Sequence, residues 1–486
     1  MFRFGKGSLI LGFTDKNAST HITAGNTRLI LATVFTGTFM STLDSSIANV
    51  ALPTISEQLT ISIHNVQWVV TSYLLTICAM LPIMGKLSDK LGKGRIYNFG
   101  FLLFTIGSML CALSSSLSGL ILSRVVQALG ASCLMACSQG IVAETFAASG
   151  RGRALGMIGM AVSLGSLTGP GIGGLLLGHM DWSAIFWINV PIGIAGFIAG
   201  LFFLPKDKVE NKKTPFDYFG SLSFMIGIVL LLYSISNGEE MGWTSPFILG
   251  GLTFSLVVLI FFYVWEHRVG HPMLDFRLYQ IRSFRLGNIA SFLSFVAQFV
   301  MSIMMPFYLQ DVLHFSPQVT GYAIMVLPLS MAITAPLSGW LSDKIGYRIL
   351  TTGGLAINAL AFGLLNTLTT DASFAVVAAH LFLFGVGGGL FQSPNNSSVM
   401  GSVPQPKLGS AGSLNALVRN LGMVIGTSLS VTLYSIVLKR SGGEGTPEAM
   451  LNALHVVFWV AMGVCLLALF VSSLRLKAPE KEIPAQ

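Results

Sequence analysis

The chain alternates between long apolar segments and short polar stretches. Fourteen of the apolar segments have the length of a membrane-spanning helix, about 20 residues. The pattern therefore predicts fourteen transmembrane α-helices joined by short loops. The predicted spans cover residues 29–52, 67–85, 96–113, 118–143, 154–177, 184–204, 217–237, 246–265, 284–309, 318–340, 349–368, 373–395, 411–438 and 453–474.

Composition supports this interpretation. Of the 486 residues, 53% are hydrophobic and 10% are charged, whereas about 25% of the residues of soluble proteins are charged. An all-α integral membrane protein, embedded in a lipid bilayer, is predicted. The net charge of +8 would suit a nucleic-acid-binding protein. The basic residues, however, lie in short loops between apolar segments, so no nucleic-acid partner is expected.

The Lys and Arg residues fall almost entirely on one side of the predicted spans. Of the 28 basic residues, 24 lie on the side of the N-terminus and two, Lys439 and Arg440, lie on the opposite side. The remaining two, Arg124 and Arg419, lie within spans. Basic loops stay in the cytosol, so both termini are expected to be cytosolic.

Asp44 is the only charged residue in the apolar stretch Leu29–Pro53. A carboxylate inside a membrane helix is costly and usually belongs to an ion or substrate path. Asp44 is therefore the first candidate for proton coupling. The alternative is that Asp44 is a packing residue whose carboxylate is satisfied by Ser41, one turn away.

Arg124 lies at a similar depth in the fourth span. Counted from the outer ends of their helices at 1.5 Å per residue, Arg124 is about 9 Å deep and Asp44 about 13 Å deep. Burial favours a neutral acid and a nearby cation favours a charged one, so this pair could change protonation between states. The alternative is a permanent structural ion pair. Asp311, near the end of the ninth span, is a second candidate for proton coupling.

An internal repeat divides the chain. The segment GKLSDKLG at Gly85–Gly92 recurs as GWLSDKIG at Gly339–Gly346, each after the second span of a six-span unit. The predicted parts are a tail (1–28), a six-helix half (29–204), a linker with two inserted helices (205–283), a second six-helix half (284–474) and a tail (475–486). Repeated halves around a central site are typical of transporters.

Six motifs follow one another along the chain. They are LDSSIANVALP at 43–53, GKLSDKLGKGR at 85–95, RVVQALG at 124–130, GSLTGPGIGG at 165–174, WSAIFWINVPIG at 182–193 and HPMLDFRLYQIRSF at 271–284. In this order they resemble the major facilitator superfamily, specifically its fourteen-span drug:proton antiporter branch (EmrB/QacA type). The resemblance extends from Leu29 to Leu474. It implies the major facilitator fold, alternating access, and residence in a bacterial cytoplasmic membrane.

The resemblance also assigns residues to two functional elements. A charge network that holds the cytosolic side closed would involve Gly85, Asp89, Arg95, Glu144, Arg151 and Asp343. An antiporter motif, where the two halves pack on the outer side, would involve Gly165, Gly169, Pro170, Gly173 and Gly174. A solvated basic loop is the alternative for the first element, and simple close packing of helices is the alternative for the second.

The sequence offers no catalytic or cofactor chemistry. The five cysteines lie in apolar segments without a zinc-binding spacing, so neither a metal site nor a disulfide is expected. No GxxxxGK[ST] phosphate loop occurs. The energy for transport is therefore expected to come from a proton gradient, and the protein is not expected to be an enzyme.

The predicted function is proton-coupled efflux of lipophilic or cationic small molecules, including drugs and antibiotics, with an accessory periplasmic protein as a further potential partner. Two alternatives remain open. One is a dedicated exporter of a single metabolite, lipid or peptide, and the other is a membrane sensor that does not transport.

The segment QSPNNSSVM at Gln392–Met400 is unusually polar for the end of a span. It either lines the cytosolic mouth of the protein or simply terminates the helix.

Overall fold

The computed structural model describes residues 24–146, 148–205, 216–238, 240–270, 272–404, 407–441 and 446–475. These residues form α-helices and short turns without a β-strand. The helices are α1 (Ala24–Gln58), α2 (Ile63–Val66), α3 (Trp68–Leu91), α4 (Lys93–Ala112), α5 (Leu117–Thr145), α6 (Ala148–Leu177), α7 (Ala184–Trp187), α8 (Asn189–Phe203), α9 (Tyr218–Asn237), α10 (Pro246–Glu266), α11 (Arg282–Phe307), α12 (Pro317–Ile345), α13 (Tyr347–Leu365), α14 (Phe374–Gly401), α15 (Leu408–Arg440) and α16 (Pro447–Ser473). A 3₁₀ turn (Phe276–Gln280) precedes α11 and a π turn (Tyr308–Val312) follows it.

Polar residues fix where several helices begin. The side chains of Ser116, Asp217, Ser245, Ser316 and Thr446 each accept a hydrogen bond from the backbone N–H three residues ahead. The first N–H groups of a helix have no partner within the helix, and these caps satisfy one of them. The caps therefore mark the points at which the chain enters an apolar segment.

Thirteen segments of the described chain are long and apolar enough to cross a membrane. The helix α1 is not among them, although its 35 residues are ample. Asp44 and a series of Ser and Thr residues interrupt its apolar character. The predicted all-α membrane fold is confirmed. The predicted sixth span is divided into the short helix α7 and the longer helix α8.

The helices pack in two groups. One group contains α1 and α3–α8, and the other contains α11–α16. They meet along two seams, α6 against α12 and α3 against α15. The helix α9 packs beside α3 and α15, and α10 packs on α9. This grouping accords with two halves and an inserted pair, while the predicted domain boundaries stay a prediction.

Two ends of the bundle are distinguished below. The near end is where α1 begins and α16 ends, and the far end is where α1 ends and α16 begins. The polar segment 392–400 lies within α14, which continues to Gly401 at the near end. The segment thus forms the last turns of this helix, and whether it also lines the cytosolic mouth stays a prediction. Asn396 and Ser397 are exposed.

Candidate functional site

Asp44 lies at the centre of a buried polar cluster in the first half. Its carboxylate accepts hydrogen bonds from Arg124 Nη1 (2.6 Å), Gln127 Nε2 (2.7 Å) and Asn189 Nδ2 (2.9 Å). Asp44, Arg124, Gln127 and Asn189 all have 0% of their surface exposed. These side chains come from α1, α5 and α8, so the cluster joins three separate helices.

Arg124 also contacts an amide side chain, a backbone carbonyl and two aromatic rings. Its Nη1 also donates to Gln127 Oε1 at 2.6 Å, and its Nε donates to the Val69 carbonyl at 2.9 Å. The guanidinium carbon lies 4.1 Å from the centroid of the Tyr73 ring and 5.6 Å from that of Phe186. A guanidinium is attracted to the face of an aromatic ring. The cation is therefore held in place by a carboxylate, a carbonyl and two rings.

Close packing of α4 and α5 places Gln127. A Cβ atom at Gly107 would overlap the backbone of Gln127, and one at Gly130 would overlap the backbone of Phe104. Small residues at such positions let two helices approach closely. At this short separation Gln127 Nε2 reaches Ser108 Oγ on α4 at 2.8 Å as well as Asp44.

This geometry answers one question from the sequence. Ser41 donates its hydroxyl to the Thr38 carbonyl and not to Asp44. The charge of Asp44 is instead matched by Arg124, in an ion pair whose side chains are 0% and 1% exposed. Because buried ion pairs also occur in structural roles, the assignment of Asp44 and Arg124 to proton coupling stays a prediction.

Asp311 lies apart from this cluster. It is in the π turn at the far end of α11, in the other half of the chain. Among the described residues it makes no ion pair with Arg124, and the five described ion pairs do not include it. Any role for Asp311 in coupling would therefore be separate from that of Asp44.

At the near end, Lys93 makes the ion pairs that the resemblance predicted for Arg95. Its Nζ lies 3.2 Å from Asp89 and 2.5 Å from Glu144. Only Gly92 separates α3 from α4, so Asp89 and Lys93 are four residues apart across a tight turn. Arg95 is exposed and forms no ion pair with a described residue. The side chains of Arg151 and Asp343 lie outside the described part of the chain.

The predicted charge network that holds the cytosolic side closed can be tested at Asp89. The Asp89 and Glu144 side chains are 62% and 56% exposed, and exposed pairs contribute about 0–1 kcal/mol. Asp89→Asn is therefore expected to slow transport by up to about fivefold through the equilibrium between states, while substrate binding is unchanged. Lys93→Gln, which loses both contacts, should slow transport more than Arg95→Gln.

The measurement is the initial transport rate together with the equilibrium affinity of purified protein. Asp181→Asn, a change at an exposed acid outside this network, is the matched control. Full transport by well-expressed Asp89→Asn and Lys93→Gln proteins would show that these residues form an ordinary surface loop.

The glycines of α6 pack against two neighbouring helices, α1 and α12. Gly165, Gly169 and Gly173 face α1, where Ser46 Oγ also donates to the Gly165 carbonyl at 3.0 Å. Gly171 and Gly174 face α12 in the other half. Only this second set lies between the halves, together with the carbonyl of Pro170, which faces Gly321. Their role in antiport stays a prediction.

Two members of the Asp44 cluster were not singled out in the sequence. Gln127 lies three residues after Arg124 and therefore on the same helix face. Asn189 lies within the motif at 182–193. Both are neutral amides and therefore give no charge signal. The available clues were the three-residue spacing of Gln127 from Arg124 and the position of Asn189 within a motif.

Comparison with known proteins identifies the family. The sequence model of the Major Facilitator Superfamily matches residues 34–217, 216–427 and 288–486. The riboflavin transporter RibZ of Clostridioides difficile (strain 630) is 37% identical over 456 residues, 94% of this chain and 99% of that protein. The multidrug resistance protein Stp of Mycobacterium tuberculosis (strain CDC 1551 / Oshkosh) is 33% identical over 80% of this chain and 72% of its own. The multidrug export protein EmrB of Haemophilus influenzae is 30% identical over 85% of this chain and 81% of its own.

A solved structure shares the fold. The crystal structure of the peptide transporter POT in complex with sulfate aligns with a TM-score of 0.66, over 91% of this chain and 94% of that chain. Its sequence identity is 17%, so this likeness concerns the fold alone. The family match covers nearly the whole described chain, and the relatives are named as transporters rather than enzymes. The chain belongs to the Major Facilitator Superfamily of transporters.

Proposed function

We propose that this protein exports small organic compounds in exchange for protons. The observation that carries the proposal is the buried Asp44 cluster, in which one carboxylate is held by donors from α5 and α8. A proton placed on either carboxylate oxygen would meet one of these donors. Protonation would remove the charge of the carboxylate and weaken its ion pair with Arg124, which would link proton uptake to a change in helix packing.

Alternating access would use the two seams between the halves. The α6–α12 seam has glycines on both sides at its far end, with Gly174 facing Pro317 and Gly321 facing Pro170. Backbones that touch without intervening side chains can separate and close again as rigid surfaces. We further propose that the near end is cytosolic, in a bacterial cytoplasmic membrane, because the basic residues of the sequence concentrate there. A partner protein docked at the far end stays a prediction.

The substrate class follows from the relatives and from Asp44. Multidrug exporters among the relatives favour a broad range of lipophilic substrates. For a cationic substrate, Asp44 is the candidate counter-charge, but Arg124 already matches its charge. Asp44 would attract a cation only after that pair separates.

A flavin carrier is the second candidate. It is favoured by the riboflavin transporter, which matches 94% of this chain at 37% identity. A carrier dedicated to one metabolite would show saturable transport of riboflavin that unrelated dyes do not inhibit. A multidrug exporter would transport the dyes and show mutual inhibition among them.

Reconstituted proteoliposomes with an internal pH indicator test the proposal directly. Addition of a transported compound is expected to move protons across the membrane in the direction opposite to the compound. A panel of cationic dyes, biocides, antibiotics and riboflavin would define the substrates, complemented by survival of cells that express the protein. Binding without any proton movement would favour the sensor alternative.

A further inference from the structure

Arg419 is a membrane-embedded cation without a described partner. It lies in α15, eight residues and therefore about 12 Å into the apolar segment Ala411–Arg440. Its Nε is buried without a hydrogen bond. None of the ion pairs among the described residues includes Arg419, and no described side chain or carbonyl accepts a hydrogen bond from it.

The contrast with Arg124 makes this arrangement unusual. Arg124 is matched by Asp44 and by a backbone carbonyl. Neither of the two acids considered for proton coupling pairs with Arg419, because Asp44 is engaged by Arg124 and Asp311 lies in the π turn at the far end of α11. A charge at this depth is costly unless it is paired. The partners of this cation must therefore be solvent or a bound molecule from outside the described chain.

Amide side chains lie at about the same level of the bundle as Arg419. Gln392 on α14 donates to Gln298 on α11 at 2.8 Å, and Asn415 on α15 donates to Asn396 on α14 at 2.9 Å. The helices α14 and α15 run in opposite directions. Since Asn396 is level with Asn415, Gln392 and Arg419, each one turn further toward the far end, are level with each other.

These side chains border a space that is accessible to solvent. Gln298, Gln392, Asn415 and Arg419 are partly exposed and Asn396 is exposed. Polar groups are seldom placed against lipid because nothing there can bond to them. The helix α15 also packs against α3 of the other half. The exposed polar face is therefore that of a cleft between the helices and not of the lipid boundary.

We infer that Arg419 and these amides bind an anionic group of the transported compound, a carboxylate or a phosphate. Guanidinium groups bind both anions through paired, charge-assisted hydrogen bonds, and the amides supply additional donors to the same group. The inference rests on the proposed transport function and specifies its substrate. The substrate inferred here is an organic anion, in place of the cation expected from the sequence.

Equilibrium binding to purified protein tests this site without a proton gradient. The probes are carboxyfluorescein (carboxylates), riboflavin 5′-phosphate (phosphate), riboflavin (the same ring without a net charge) and ethidium (a cation). The parent protein is expected to bind at least one anion, and Arg419→Gln should weaken the binding of that anion by about tenfold or more. Arg419→Lys should retain part of the affinity. Arg440→Gln, a change at an exposed arginine of the same helix, is the matched control and should bind as the parent does.

The two anions distinguish the source of the charge. Selective loss of carboxyfluorescein binding identifies a carboxylate site, and selective loss of the phosphorylated flavin identifies a phosphate site. A parent protein that binds neither anion, or an Arg419→Gln protein that binds both as tightly as the parent, would overturn the inference. Failure of proton coupling would leave these binding results unchanged, so the two proposals can fail separately.

Thermal unfolding provides a second measurement that does not depend on the substrate. If Arg419 is a binding residue, its unpaired charge destabilises the empty protein, and Arg419→Gln should raise the melting temperature in a low-salt buffer without polyvalent anions. A purely structural arginine would give the opposite result, because its removal would lower the melting temperature. A lowered melting temperature together with unchanged anion affinity would contradict the inference.

Discussion

Asp44→Asn is expected to abolish proton-driven export while the protein still reaches the membrane. The amide resembles a permanently protonated carboxyl group, so the cycle of proton uptake and release would stop. The measurement is the uphill accumulation of a transported compound in everted vesicles on an imposed pH gradient. Downhill exchange of the compound, which needs no proton cycle, should persist. Asp44→Glu keeps the charge on a longer arm and should retain part of the coupled activity.

The same substitution should also reduce stability. Removing one partner of a buried ion pair leaves the other charge uncompensated, at a cost of about 3–5 kcal/mol. Asp44→Asn with Arg124→Gln removes both charges and should recover part of the lost stability, without recovering coupling. Thermal unfolding of the single and double variants separates the two effects. A fully coupled double variant would show that the ion pair is structural.

Asp311→Asn is the matched control, because it makes the same chemical change at an embedded acid outside the cluster. It is expected to leave coupling largely intact. If Asp44→Asn still drives uphill export and Asp311→Asn does not, Asp311 is the coupling residue and the proposed role of the Asp44 cluster is wrong.

Gly321→Ala is expected to impair transport severely by preventing closure of the far end. A Cβ at Gly321 would overlap the Pro170 carbonyl and would lie 3.0 Å from the Gly174 Cα. Backbone atoms cannot move aside as a flexible side chain can. Overpacking of this kind costs about 1–3 kcal/mol, which corresponds to a shift of about five- to 150-fold away from the closed state.

Labelling at the far end reports this shift. A single cysteine at position 54, introduced after replacement of the five buried native cysteines, lies beside Gln310 of the other half. An impermeant maleimide should label it faster in the Gly321→Ala protein than in the parent. Gly353→Ala, at a helical glycine with no atom within 4 Å of the added Cβ, is the matched control. Equal labelling of the two variants would show that the glycine contact does not control closure.

Much of this architecture was predictable from one-dimensional patterns. Apolar segments of membrane-spanning length identified the helices, and the repeat at 85–92 and 339–346 suggested the division into two groups. Depth alone suggested that Asp44 and Arg124 could meet, because both are charged and therefore conspicuous in an apolar segment. The structure places them 2.6 Å apart.

The remaining features depend on contacts that the sequence does not encode locally. Gln127 and Asn189 join the cluster because close packing of separate helices brings them to Asp44. Lys93, rather than Arg95, faces Asp89 because a single glycine separates the two helices. Whether Arg419 has a partner depends on where the other charged side chains lie. Its lack of a described partner could therefore not be recognised before the positions of Asp44 and Asp311 were known.

Because of the position of α9, the two seams between the helix groups differ in how far they are covered by other helices. Among the described helices, α9 covers the α3–α15 seam, and α10 lies outside it with a broadly exposed apolar surface. No helix in the described part of the chain covers the α6–α12 seam in this way. In a bilayer, lipid tails would therefore be able to contact the α6–α12 seam, whereas α9 and α10 would separate them from the α3–α15 seam. A compound dissolved in the bilayer would therefore meet fewer helical layers at the α6–α12 seam than at the α3–α15 seam.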